Sequence, residues 1–216
     1  MTAEMYPLTE VVYQKYLAAL INGERRDCHA ILNDLLAAKM PVEAIYEELF
    51  KRSLYQIGDL WQANQISVAT QHLVTALTEF LLNQVYPYIF SQPRVGKRVV
   101  IACVPKELHA MGAKMVADLF EYYGWDSLFL GANVPLKSLL ELIDEYKPDA
   151  IGLSLSMYPN IESLHKTLEQ VTNTFSIPVI VGGQALSVER KKTLNLYKNT
   201  QYILSEQDLI TSFLKK

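Results

Sequence analysis

The sequence predicts an N-terminal four-helix bundle followed by an α/β domain built on a five-stranded parallel sheet. Three observations predict it. Over the first 90 or so residues, apolar positions recur at helical spacing between short polar breaks. From Arg98 onward, short apolar runs alternate with amphipathic segments, the pattern of a parallel sheet covered on both faces. Between the two, Ser91-Gln-Pro-Arg-Val-Gly-Lys97 fits neither pattern and reads as a linker. The expected domains are residues 1–90 and 98–216, joined by 91–97.

In the bundle, Leu8 to Ile21 carries Val11, Tyr13, Tyr16, Leu17 and Leu20 and stops at Asn22-Gly23. Asp27 to Lys39 carries Cys28, Ile31, Leu32, Leu35 and Leu36. Pro41 suits a first helical position, and the next helix runs through Ile45, Leu49, Leu54 and Ile57 to about Trp61. Ser67 caps a fourth helix reaching about Tyr86. Short connections make neighbouring helices antiparallel. In the second domain, strands are expected at 98–104, 126–130, 149–155, 177–181 and 201–204. Helices are expected at 108–123, 135–147, 160–174, 188–197 and 206–215. Five strands with crossover helices fit a flavodoxin-like, Rossmann-type order.

Composition excludes several classes. Half of the 216 residues are hydrophobic and a fifth charged, enough for a sizeable core. The net charge of -3 and the lack of a basic stripe leave no electrostatic footprint for direct nucleic-acid binding. Cys28 and Cys103 fit neither a disulfide framework nor a zinc spacing. No apolar run reaches membrane-spanning length, and Met1-Thr-Ala-Glu4 is no secretory signal, so a cytoplasmic protein with no membrane partner is expected. No hydrolase, kinase or hydride-transfer constellation is present, so the chain is not expected to be an enzyme itself.

The chemistry-bearing stretch is Val104-Pro-Lys-Glu-Leu-His-Ala-Met-Gly112, at the junction of the first strand and its helix. Ligands of open parallel sheets gather at such carboxyl ends. There a histidine, His109, can reach a ligand, and Glu107, two residues earlier, can orient its ring. After 41 further residues, Ser154-Leu-Ser156 ends the third strand; after another 25, Gly182-Gly183 ends the fourth.

Three such elements in this order resemble the cobalamin-binding domain shared by methionine synthase, corrinoid methyl carriers, mutases and light-sensing cobalamin-dependent repressors. The resemblance implies that His109 is the lower cobalt ligand in place of the cofactor's own base, with Glu107 accepting the other ring N–H. It implies that Ser154 hydrogen-bonds that carboxylate or lines the pocket of the nucleotide tail. Leu108, Met111, Gly112, Leu155, Ser156, Tyr158, Gly182, Gly183 and Gln184 complete the implied cofactor-binding set. Ser156 stands where the family has an apolar residue or threonine.

A second cluster lies in the bundle. Trp61, nine residues, then Gln71-His72 resembles the Trp-x9-Glu-His pattern of the light-sensing repressors, with Gln71 replacing the glutamate. There the resemblance implies an adenosyl group beside Trp61 and makes His72 the possible upper cobalt ligand after photolysis. Carriers usually show Asp-x-His-Asp-x-Gly-Lys; here the stretch is Glu107-Leu-His-Ala-Met-Gly-Ala113. Together with Leu130-Gly-Ala-Asn-Val-Pro135, this favours an adenosylcobalamin-dependent photoreceptor module over a methyl carrier, with methylcobalamin the alternative cofactor form. The repressors' DNA-binding domain is expected to be lacking. The expected partners are then a separate transcriptional regulator or signalling protein and possibly a second copy of the chain.

Overall fold

The computed structural model describes residues 8–90, 92–186 and 197–214. It divides after Tyr88 into two compact units. The first unit is helical. Helix α1 (Glu10–Asn22) starts at Thr9, whose hydroxyl accepts the Val12 N–H at 3.3 Å, and ends at Gly23, which takes the left-handed conformation (φ 73°). Helices α2 (Arg25–Ala37), α3 (Val42–Ala44), α4 (Arg52–Gln62) and α5 (Val68–Ile89) follow. Between α3 and α4 the predicted single helix widens into a π-type turn, Ile45–Lys51, which buries Ile45, Tyr46, Leu49 and Phe50. Ser67 caps α5, accepting the Thr70 N–H at 3.1 Å. Tyr13, Tyr16, Leu20, Leu32, Val74, Leu81 and Val85 are among the fully buried side chains of this unit.

In the second unit, strands β1 (Arg98–Cys103), β2 (Asp126–Phe129), β3 (Ala150–Ser154), β4 (Val179–Gly182) and β5 (Thr200–Tyr202) form a parallel sheet in the order β2-β1-β3-β4-β5. This is the flavodoxin-like order. Helices α6 (Met111–Tyr122), α7 (Leu136–Tyr146), α8 (Ile161–Thr174) and α9 (Glu206–Leu209, continued by a wider turn Ile210–Leu214) connect or follow the strands. The expected helix 188–197 lies outside the described residues apart from its last position. Central strand β3 is buried throughout and β1 from its second residue on, as crossover helices on both faces require.

One expectation is corrected. The helix after β1 begins at Met111, not at residue 108. Leu108 therefore belongs to the preceding loop and is 70% exposed. Residues 93–97, read as linker, fall within the second unit, which begins at Ile89. Arg94 pairs with Glu121 and donates to Trp125 O at 2.7 Å, and Val95 N–H reaches Gly124 O at 2.8 Å.

Strand order reverses between β1 and β3, so their carboxyl ends, Cys103 and Ser154, are register partners. Gly182 pairs with Ser154 in turn, which brings the loops after β1, β3 and β4 to one edge. The β4 loop needs a glycine. Gly183 has φ 125°, and a Cβ there would lie 2.1 Å from Leu155 O, whereas one on Gly182 would meet nothing closer than Ile203 O at 3.7 Å. Gly183→Ala is expected to lose about 3 kcal/mol of stability or more, and Gly182→Ala less than about 1 kcal/mol, by urea denaturation followed with circular dichroism.

Candidate functional site

The loop from Val104 to Ala110 leaves β1 at the point where the strand order switches. It is pinned to the β3 side by Val104 N–H donating to Ser154 O at 3.3 Å and closed on itself by Glu107 N–H to Val104 O at 3.0 Å. Lys106 takes the left-handed conformation, φ 72°. This turns the Glu107 side chain into the protein, where it is fully buried.

The buried carboxylate is surrounded by donors. Oε1 accepts the His109 backbone N–H at 2.9 Å and the His109 ring Nδ1–H at 2.7 Å. Oε2 accepts the backbone N–H groups of Met157 at 2.8 Å and Ser156 at 3.0 Å, with the Asn160 side-chain amide at 3.4 Å. Burial alone would push the Glu107 pKa up. The hydrogen bonds from His109, Met157 and Ser156 outweigh it and bring the pKa down to about 2. The carboxylate is thus ionised at neutral pH and can only accept, which fixes the proton of His109 on Nδ1. In the neutral ring Nε2 keeps its lone pair, and the side chain is 52% exposed. The same hydrogen bond raises the His109 pKa against the opposing effect of partial burial.

Leu108, next to Glu107 in sequence, and Met157 and Tyr158, which follow Ser156, are exposed, so the surroundings of His109 are partly apolar. Met111 and Gly112 open α6; a Cβ on Gly112 would meet no atom within 4 Å, so the space above its backbone is free. Gly182, Gly183 and the exposed Gln184 stand at the end of β4. Leu155 instead points its side chain into the sheet core and contributes backbone only, its N–H donating to Gly182 O at 2.9 Å.

Ser154 does not hold the carboxylate. Its hydroxyl lies against the Cys103 thiol, because the end of β3 is in register with the end of β1. The polar side chain reaching Glu107 is Asn160, six residues further on, which also donates to Lys106 O at 3.2 Å. Asn133 is a second residue that sequence reasoning missed: its side-chain oxygen accepts the Lys106 N–H at 2.7 Å. The signal for both was an asparagine inside a strand-end loop, a residue type that bonds nearby backbone. On the helical unit, Trp61 sits in the last turn of α4 and is 38% exposed, so it is not a core aromatic. Gln71 and the exposed His72 lie in the first turns of α5.

The pair sets a pH window. Glu107, lowered from its ordinary 4.5, adds stability that is present above 4.5 and is lost as pH falls toward about 2. His109, raised from its ordinary 6.5, adds stability that is complete below 6.5 and is lost as pH rises through its elevated value. In the cofactor-free chain, the His109 ring is expected to titrate above 6.5 by NMR. Glu107→Gln should bring it down toward the ordinary value; an unchanged midpoint in that variant would contradict the assignment of the shift to Glu107.

Two family models, each described as a B12 binding domain, match residues 97–208 and 12–86. The HTH-type transcriptional repressor CarH of Myxococcus xanthus is 29% identical over 83% of this chain. Methionine synthase of Mycobacterium tuberculosis is 23% identical over 82% of it. The matches span 60% of that repressor and 15% of that synthase. The monomethylamine corrinoid protein of Methanosarcina barkeri shares the fold, with a TM-score of 0.82 at 14% identity over 95% of this chain and 98% of that one. With one model covering more than half of its length on the sheet that presents Glu107 and His109, the chain belongs to the B12 binding domain family.

Proposed function

We propose that this chain holds cobalamin with the cofactor's own base displaced, His109 being the lower cobalt ligand through Nε2, and that it serves as a sensor acting through a partner protein. The observation carrying this reading is the buried, ionised Glu107 that fixes the His109 proton on Nδ1. Imidazole nitrogen suits a cobalt centre, and a carboxylate behind the ring fixes its tautomer and raises its basicity. The free space at Gly112 and the exposed Leu108, Met157 and Tyr158 fit a large ligand with apolar edges. Gly182, Gly183, Gln184 and Ser156 are assigned to the cofactor's tail. When bound, the cofactor supplies cobalt–carbon chemistry; the residues of this chain bind, orient and shield it.

The sensor reading rests on the helical unit. Trp61 is exposed, and His72 has no hydrogen-bond partner among the described residues. Both are therefore available to a ligand, and with Gln71 they are assigned to the cofactor's upper side. Ala110 and Ala113 stand where the carrier pattern has aspartate and lysine. The similarity to a transcriptional repressor supports regulation; adenosylcobalamin as the form used, and a separate regulator or signalling protein as the partner, follow from the resemblance of the Trp61 and Gln71-His72 pattern. The similarity to methionine synthase favours a second reading, a corrinoid methyl carrier serving a methyltransferase.

Hydrodynamic size separates the two. Wild type and His72→Ala, each loaded with adenosylcobalamin, are compared in the dark and after green light. The sensor reading expects wild type to change assembly on illumination and His72→Ala to lose that change. Identical sizes in all four samples, with photolysis confirmed by absorbance, would exclude a light-driven switch. Methyl transfer from the methylcobalamin-loaded chain to a thiol, with a partner methyltransferase, would favour the carrier.

A further inference from the structure

The loop between β2 and α7 carries none of the residues assigned to the cofactor, yet it grips the end of β1 and, at two points, the His109 loop. Val134 N–H donates to Cys103 O at 3.2 Å and Asn133 N–H to Glu107 O at 2.8 Å, while the Asn133 side-chain oxygen accepts the Lys106 N–H at 2.7 Å. From the opposite side, the Asn160 amide donates to Lys106 O at 3.2 Å. The N–H and C=O of Lys106 are thus held by two asparagines from two different loops.

Lys106 is where such support matters. It sits at φ 72°, a conformation that residues with a Cβ adopt at a cost and keep only when their surroundings dictate it. Glu107 follows directly, and the turn at Lys106 aims its side chain inward, to where Ser156, Met157 and His109 meet it. Asn133 itself lies at φ 50°, which asparagine tolerates better than most residues. Its place therefore makes two demands, a left-handed backbone and an acceptor of the right reach, and asparagine and aspartate meet both.

We infer that Asn133 is a positioning residue for the lower-ligand histidine: by holding Lys106 left-handed, it presents Glu107 and His109 in their binding arrangement before the cofactor arrives. The inference rests on the proposed role of His109. Pre-ordering a loop strengthens binding by removing an ordering cost from the association step.

Three variants of the full chain separate the two demands. Asn133→Gly keeps the left-handed backbone and loses the acceptor, Asn133→Asp keeps both, and Asn133→Ala loses both. Two readouts are needed: exchange of the Lys106 amide proton by NMR in the cofactor-free chain, and the affinity for hydroxocobalamin. Asn133→Gly is expected to expose the Lys106 amide and to weaken hydroxocobalamin binding about tenfold, the worth of one hydrogen bond. Asn133→Asp is expected to match wild type in both. Wild-type affinity in Asn133→Gly overturns the inference, whether or not the Lys106 amide becomes exposed, and so does equal weakening in Asn133→Gly and Asn133→Asp. A wild-type chain that fails to bind hydroxocobalamin would instead overturn the cobalamin reading, and the inference with it.

Discussion

A fully buried carboxylate organises the second unit. Burying an unpaired charge costs several kcal/mol, so Glu107 is tolerable only where donors converge on it. Here the donors come from its own loop, through His109, and from the loop after β3, through Ser156, Met157 and Asn160. Those two loops are neighbours only because β1 and β3 are adjacent and in register at their carboxyl ends. The switch in strand order thus does more than open a crevice. It supplies the backbone amides that keep a carboxylate ionised inside the protein, and that carboxylate determines which nitrogen of His109 is free.

The same constraint explains the shape of the surrounding loops. Lys106 is held left-handed so that Glu107 can turn inward, and Gly183 is left-handed so that the β4 loop can pass over Leu155 O. Glycine suits its position, whereas at Lys106 the residue type does not favour the conformation and Asn133 and Asn160 hold it. The apolar residues flanking the pair, Leu108, Met157 and Tyr158, stay exposed while the carboxylate between them is hidden. The site therefore combines a buried anionic support with an apolar outer face, which fits the role proposed for His109.

Most of the architecture could be read from the sequence because it depends on local pattern. The short apolar runs marked the strands to within two residues, and their alternation with amphipathic segments gave a parallel sheet. Glu107 and His109 could be paired in advance because two residues across a strand-end loop face the same point. The donors to Glu107 could not. Ser154 is the polar residue at the strand's end, but the pleat and the register turn it toward Cys103, and the chain must bend before Asn160 comes within reach. Leu108 was misplaced on a helix for a related reason: the loop needs three more residues to close around the carboxylate before α6 can begin. In the helical unit, apolar spacing revealed most core positions but not the exposure of Val11, and it gave no reason to expect the π-type turn at Ile45–Lys51. Trp61 illustrates the reverse: its type suggests core, and its position in the last turn of α4 leaves it partly exposed.

The central claim is that a nitrogen of this chain, rather than of the cofactor's own base, occupies the lower position on cobalt. Electron paramagnetic resonance of the reduced cobalt(II) form tests it directly, with the chain grown on 15N-labelled histidine and loaded with unlabelled cobalamin. The account predicts that the cobalt lines are split into doublets by the spin-half nitrogen of His109, and that His109→Ala abolishes those doublets. Triplets from the unlabelled benzimidazole nitrogen, present in both the labelled wild type and His109→Ala, would contradict it.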